Sequence, residues 1–148
     1  MVDSKDKGAR AETTVRDILR KYTKLQWERT PQSGALDAVH RLKGDLYIPG
    51  EKNKYTVEVK HYKDSVINHL LLTSNNHTLK VWWLQTCREA VENKNEPLLI
   101  FKHDRSKLYA AQYDFKIDLP TIAVNSNGLL LNIVLLEDWL YYKPEFIL

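Results

Sequence analysis

Residues 44–62 have the sequence GDLYIPGEKNKYTVEVKHY. Within this stretch, residues 45–48 and 55–62 are rich in apolar, aromatic and β-branched residues, and Pro49 and Gly50 between them are typical of a turn. Two such segments joined by a short turn predict a β-hairpin. Both the fold class and the candidate site follow from this hairpin, because its strands carry few charged residues and these are regularly placed.

The charged residues of the hairpin are placed so that they can meet. Successive side chains of a strand point to opposite faces, so Glu58 and Lys60 share a face and the valines on either side of Glu58 share the other. Asp45 begins the partner strand, and two carboxylates on adjacent strands can converge within the span of one divalent ion. Such hard oxygen ligands suit Mg²⁺, which takes further ligands from water and phosphate. Lys60 could stabilise developing charge, or help to position or deprotonate an attacking water.

A Glu-x-Lys pattern on a strand is more often a solvated sheet face than a functional site. Three further features favour a site here. Asp45 precedes the pattern on a strand that can pair with it. Glu12 lies almost two helical turns before Leu19, near the apolar stripe of a predicted first helix, where a carboxylate is costly unless it is paired or metal-bound. The order of the elements also lets one sheet edge gather all four charged residues.

The periodicity of apolar residues predicts the remaining elements. The predicted helices span residues 6–22, 79–93 and 137–142, and the further predicted strands span residues 25–30, 98–101 and 107–113. The order helix, three strands, helix, strand, strand predicts an α/β fold in which a mixed sheet is flanked by helices. The length of 148 residues suits one unit, so we expect a single domain over residues 1–148.

Composition and charge exclude several classes of protein. Hydrophobic residues make up 43% of the chain and charged residues 28%, which is typical of a globular protein and not of a disordered one. The net charge of +3 permits a polyanionic partner without indicating one. The single cysteine, Cys87, excludes an internal disulfide framework. The longest apolar run, residues 129–136, is too short to span a membrane, and no signal peptide is visible, so we expect a cytoplasmic protein, prokaryotic or in the host of a virus.

The order of a helical Glu, a Gly-Asp and a Glu-x-Lys resembles the PD-(D/E)XK nuclease superfamily, whose restriction-endonuclease-like core is α-β-β-β-α-β. Within it the chain most resembles the archaeal-type Holliday-junction resolvases, which also occur in phages. Over roughly residues 5–103, the matching residues are Lys7-Gly8, Glu12, Arg29, Ser33-Gly34, Asp45 and Glu58-Val59-Lys60. Gly44 stands where the family has Pro, residues 65–80 are longer and more polar than the family pattern, and residues from 114 onward match no part of it.

The resemblance implies a metal-dependent phosphodiester hydrolase. Glu12, Asp45 and Glu58 would then bind metal directly or through water, and the Val59 carbonyl is a further candidate ligand. Lys60 would act beside the scissile phosphate. The cofactor implied is Mg²⁺, with Mn²⁺ able to substitute, and hydrolysis would leave a 5′ phosphate.

Other residues are candidates for binding DNA or supporting the reaction. Gln85, on the second predicted helix, could orient the attacking water or could equally be a polar boundary residue. The candidates for DNA contact are Lys7, Arg10, Arg29, Ser33, Gly34 and His61, because Arg, Lys and Ser commonly bind phosphate. The five histidines show no metal-ligand spacing.

Three functions fit these observations. The first is an endonuclease that resolves four-way (Holliday) junctions in branched DNA as a homodimer, since a junction has near two-fold symmetry and paired cuts need two active sites. We expect the dimer to form through a sheet edge or through residues 129–136. The second is a restriction-like or recombination-associated nuclease that acts on other DNA. The third is a non-catalytic DNA-binding module, which the intact set of Asp45, Glu58 and Lys60 argues against.

Overall fold

A computed structural model describes residues 4–31 and 42–148. The helices are α1 (Ser4–Thr23), α2 (Thr78–Asn93) and α3 (Leu136–Leu140), and a 3-10 turn spans His69–Leu72. The strands are β1 (Glu28–Arg29), β2 (Leu46–Tyr47), β3 (Tyr55–Tyr62), β4 (Glu96–His103), β5 (Tyr109–Gln112), β6 (Ile122–Ser126) and β7 (Leu129–Leu135). The three predicted helices and the predicted hairpin of β2 and β3 are confirmed.

Within the described parts of the chain, the strands form one seven-stranded sheet in the order β1-β2-β3-β4-β5-β7-β6. The β3–β4 pair is parallel and the other pairs are antiparallel, so the sheet is mixed. Parallel strands need a long crossover connection, and α2 supplies it between β3 and β4. A mixed sheet flanked by helices, built on an α-β-β-β-α-β core, confirms the restriction-endonuclease-like α/β fold.

Each face of the sheet carries its own hydrophobic core. Helix α1 packs Val15 and Leu19 against Val57 and Val59 of β3 on one face. On the other face, α2 packs its apolar residues against alternate residues of β4 and against β7. Residues 98–101 are all buried, as expected for a continuously apolar strand covered on both faces.

The strand predicted over residues 25–30 is confirmed only as the two residues of β1. The Trp27 side chain is buried, and its indole Nε1 donates to Thr23 Oγ1 at 3.0 Å. The guanidinium of Arg20 donates through Nε to the Trp27 carbonyl at 2.8 Å. Because these contacts tie the segment to α1, strand pairing begins only at Glu28.

The C-terminal hairpin of β6 and β7 was not predicted. Its turn is Asn127-Gly128, with φ of 52° and 76°, and an Asn-Gly pair between apolar strands is a strong hairpin signal. Strand β7 pairs with β5 on one side and β6 on the other. Leu129, Leu131 and Ile133 are buried there, so the expectation that residues 129–136 are left for a subunit contact is wrong.

The chain ends against α1 and the start of β3. Phe146 lies edge-on to Trp27, with ring centroids 5.2 Å apart, and it also contacts Tyr55 and Trp139. This aromatic cluster covers the α1-side core at the N-terminal end of β3. No helix in the described parts of the chain is long and apolar enough to cross a membrane.

Candidate active site

Asp45 enters the sheet through a conformation that only glycine adopts easily. Gly44 has a φ of +97°, and a Cβ on it would lie 3.1 Å from both Thr56 Cγ2 and the Val57 carbonyl oxygen. Proline is fixed near a φ of about −65°, so the Pro of the resolvase pattern could not stand here. The Asp45 amide donates to that same Val57 carbonyl at 2.7 Å. The close approach of the two backbones therefore explains Gly44.

The Asp45 carboxylate is held against the next strand. Its Oδ2 accepts a hydrogen bond from the Val59 amide at 2.8 Å. The Asp45 carbonyl accepts from the Thr30 amide at 2.9 Å, which ties the end of β1 to the same residue. The convergence of Asp45 with the Glu-x-Lys strand, predicted from the hairpin, is present in the structure.

Asn93, the last residue of α2, fixes the chain just before Gly44. Its Oδ1 accepts from the Lys43 amide at 3.2 Å, and its Nδ2 donates to the Lys43 carbonyl at 3.0 Å. The same Nδ2 donates to Thr56 Oγ1 at 2.8 Å. One side chain thus clamps both backbone groups of Lys43 and joins them to β3. No local pattern indicates this role, because Asn93 is distant from Lys43 along the chain.

Glu58 and Lys60 share a face, as strand alternation predicted. The Lys60 Nζ lies 4.0 Å from Glu58 Oε2. Glu58 is only 3% exposed, whereas the Lys60 side chain reaches partly into solvent. The arrangement keeps the carboxylate dry and leaves the ammonium available to an incoming anion.

Glu89 is a site residue that sequence reasoning missed. It projects from α2 within hydrogen-bonding reach of the Glu58 carboxyl group. Gln85, one helical turn earlier, donates through Nε2 to Glu89 Oε1 at 3.5 Å. The spacing of four residues could have indicated that Gln85 and Glu89 share a helix face. Only the tertiary packing of α2 on β3 brings Glu89 to Glu58.

Crowding and burial strongly perturb Glu58. Burial raises its pKa far above the ordinary range, and the hydrogen bond with Glu89 and the charge of Asp45 raise it further. The raised pKa favours the protonated form of Glu58. A buried pair of acids of this kind is a frequent mark of a functional site.

Glu12 comes to the same place from α1. It is buried, and its Oε1 pairs with Arg29 Nε at 3.1 Å. Burial and the neighbouring Asp45 raise the pKa of Glu12, while Arg29 and Lys60 lower it. Arg29, a candidate for DNA contact, thus also neutralises a buried carboxylate, and its side chain remains 36% exposed.

The four carboxylates supply hard oxygen donors suited to a divalent cation. Among the described residues, however, no group of three or more acidic, His or Cys side chains is arranged as a metal site. The carboxylates of Glu12, Asp45 and Glu58 are instead engaged by neighbouring protein groups. Glu89 Oε2 is buried and receives no hydrogen bond unless a carboxyl proton of Glu58 supplies it, and Thr30 Oγ1 is buried without a partner. An excess of buried acid and unpartnered oxygen fits a cation that binds as these side chains turn.

The other predicted contacts are divided between two places. Gln85 lies at the carboxylate cluster. Lys7 and His61 lie apart from it, and both contact Asp104 at 2.8 Å. Arg10 lines a cavity together with these three residues. Ser33 and Gly34 lie outside the described residues. The role of the Val59 carbonyl stays a prediction.

A comparison with known protein families finds one match. Residues 3–119 match the family described as "Phage putative PDDEXK endonuclease". The chain is 41% identical over 150 residues to Protein D14 of Escherichia phage T5, covering 95% of this chain and 94% of that protein. No solved structure matches.

Proposed function

The chain belongs to this family of phage PD-(D/E)XK endonucleases, and on that premise we propose that it cuts four-way DNA junctions by metal-dependent hydrolysis. The observation that carries the proposal is the convergence of Glu12, Asp45, Glu58 and Glu89 beside Lys60. A protein that only binds DNA has no use for buried acids near a polyanion, which they repel.

Asp45 and Glu58 would hold the cation, Mg²⁺ or Mn²⁺, together with the Val59 carbonyl, and Glu12 would act through a water. When bound, such a cation supplies an acidified water and charge stabilisation for the leaving oxygen. The Asp45 carboxylate is close enough to the Val59 backbone for both residues to contribute. Glu89 is available as a further oxygen ligand or as a proton acceptor.

The chain's own residues do the remaining work. Lys60 donates to a non-bridging oxygen of the scissile phosphate, where negative charge develops. Gln85, on the same helix face as Glu89, orients the attacking water. Attack on phosphorus breaks its bond to the 3′ oxygen, which takes a proton and leaves as a 3′ hydroxyl opposite a 5′ phosphate.

The junction is the substrate that best suits a two-fold dimer, because paired cuts need two related active sites. We place the dimer contact at the outer edge of β6, which has no strand partner on that side among the described residues and where Ile122 is 43% exposed. The protein would act in the cytoplasm of the phage's host. Sedimentation at micromolar concentration tests the dimer, and a monomer there would remove this basis for paired cutting.

The deciding experiment compares three substrates of matched sequence: a linear duplex, a flap and a four-way junction. With Mg²⁺ at equal salt, we expect paired cuts in the junction with 5′ phosphates, far faster than cuts in the duplex. With EDTA we expect no cuts. Equal rates on duplex and junction would favour the alternative of a restriction-like or recombination-associated nuclease. No cleavage of any substrate with either Mg²⁺ or Mn²⁺ would defeat the nuclease assignment.

A further inference from the structure

A polar cavity lies between α1 and the C-terminal ends of β3 and β4. Its volume is about 510 Å³. Side chains that line it include Lys7, Arg10, Thr14, His61, Lys102 and Asp104. His61 follows Lys60 in β3, so strand alternation places this cavity on the opposite face from Glu58 and Lys60. Glu12 is the one member of the carboxylate cluster carried by α1, and it is not among the described residues that line this cavity.

Two features of the fold gather the positive charge. Strands β3 and β4 are parallel and in register, with His61 beside Lys102, so both side chains rise on the same face. Helix α1 lies over that face, and Lys7, Arg10 and Thr14 recur at the spacing of a single helix face. The cavity thus takes its cationic groups from three elements and not from one flexible loop.

Asp104 already occupies the position of an anion in this cavity. Its Oδ1 lies 2.8 Å from both Lys7 Nζ and His61 Nε2. The hydrogen bond from Lys7 lowers the pKa of Asp104, which stays ionised, and burial lowers the pKa of His61, which is neutral at pH 7. The charge of Lys7 is matched by Asp104, and Arg10 and Lys102 add positive charge beyond that pair.

We propose that this cavity binds a phosphate group of the DNA other than the scissile one. The inference rests on the proposed function only in that the ligand is the same DNA. Lysine, arginine and threonine side chains are common hydrogen-bond donors to phosphate oxygens, and this cavity has all three. The Asp104 carboxylate shows that Lys7 and His61 are oriented toward an oxyanion, and it is the internal group that the phosphate displaces from Lys7.

The test measures binding without cleavage, by fluorescence anisotropy of a labelled oligonucleotide duplex in EDTA. Lys102→Gln is compared with the matched control Lys52→Gln. Lys52 is exposed and lies just before the first residue of β3, at the end of the strand away from the cavity. We expect Lys102→Gln to weaken binding by roughly three- to ten-fold and to reduce the slope of log affinity against log salt by about one. We expect the Lys52→Gln control to do neither. Arg10→Gln, at another exposed position, should behave as Lys102→Gln does.

Asp104→Asn should change the affinity for DNA in the opposite direction. Removing the internal anion frees Lys7, so we expect binding to tighten by roughly two-fold or more. Thermal melting of each variant checks that the fold is retained. Binding by Lys102→Gln and Arg10→Gln equal to that of the control, or weaker binding by Asp104→Asn, overturns the proposal.

Two sources of phosphate are separated by preparing the same duplex with a 5′ hydroxyl or a 5′ phosphate. An equal loss of affinity for both duplexes in Lys102→Gln identifies a phosphate inside the strand. A loss confined to the 5′-phosphorylated duplex identifies a terminal phosphate, such as a product end. The proposed function can fail while this inference holds. If the wild-type protein cuts no DNA with Mg²⁺ or Mn²⁺, but the variants differ in binding as expected, the nuclease proposal is refuted and the phosphate site is supported.

Discussion

The two faces of β3 near its end carry opposite chemistry. On one face Glu58 is buried against Glu89 and lies near Asp45. On the other face His61 opens into a cavity that Lys102 and Arg10 line with positive charge. Strand alternation alone separates the two, because neighbouring residues of one strand point in opposite directions.

The two faces differ in how strongly they destabilise the folded protein. Buried carboxylates lose hydration and repel one another, so the acidic face destabilises the fold until a proton or a cation compensates. The lysines of the basic face keep partial contact with solvent and cost little. The destabilising acidic face is suited to a cation that binds tightly. The basic face, which destabilises the fold little, is suited to a phosphate that binds reversibly.

The largest expected effect follows from removing charge on the acidic face. Glu58→Gln or Asp45→Asn should reduce the cleavage rate by about 1,000-fold or more, because each removes a negatively charged ligand. DNA binding should be kept or tightened, since repulsion of phosphate is relieved. Single-turnover assays and anisotropy measure the two properties, and Glu51→Gln, at an exposed turn residue, is the control. Either variant cutting at the wild-type rate would show that the acidic face is not the catalytic centre.

A smaller loss is expected from Glu12→Gln. Glu12 is paired with Arg29 and acts on the centre through its position near Asp45, and such supporting partners typically contribute 10–100-fold. We expect the rate constant for cleavage to fall within roughly that range, with the melting temperature nearly unchanged. Activity equal to wild type would remove Glu12 from the site.

Asn93→Ala tests the clamp that positions Asp45. The loss of three hydrogen bonds around Lys43 and Thr56 should lower kcat by roughly ten-fold while leaving DNA affinity unchanged. The metal concentration needed for half-maximal rate should rise. Asn125→Ala, at an exposed strand residue, serves as the control. A fall in stability with unchanged kcat and metal requirement would make Asn93 a purely structural residue.

The smallest effect concerns stability and pH. Burial, then Glu89, raises the pKa of Glu58 above its ordinary value of 4.5, so the folded protein keeps a proton that the unfolded chain loses. This contribution to stability is fully present below about pH 4.5 and is lost as pH rises toward the raised pKa. In metal-free protein, Glu58→Gln should therefore raise the Tm at pH 8 by roughly 2–4 °C, the shift that 1 kcal/mol produces in a domain of this size. At pH 5 the two melting curves should nearly coincide. An equal difference at both pH values would contradict the raised pKa.

Local periodicity was enough to predict much of the molecule. The apolar spacing in α1 and α2 and the alternation in β3 follow from burial on one face, which acts between near neighbours in sequence. The same reasoning placed Glu12, Asp45, Glu58 and Lys60 at one sheet edge, and the structure brings them together.

The missed features depend on contacts between distant parts of the chain. Glu89 reaches Glu58, and Asn93 reaches Lys43, only after α2 has packed on the sheet. The burial of the apolar residues of β7 could not be predicted locally, because it depends on pairing with β5 on one side and β6 on the other. The β6–β7 hairpin differs from these features, because the Asn127-Gly128 pair at its turn is a local signal.

The most direct test of the account is a Mn²⁺ titration followed by electron paramagnetic resonance, which measures bound metal without requiring DNA. Wild-type protein and Lys102→Gln should bind Mn²⁺ alike, because the basic face takes no part in holding the cation. Glu58→Gln should lose most of that binding. Mn²⁺ bound equally well by Glu58→Gln and by wild type would contradict a metal centre at the acidic face.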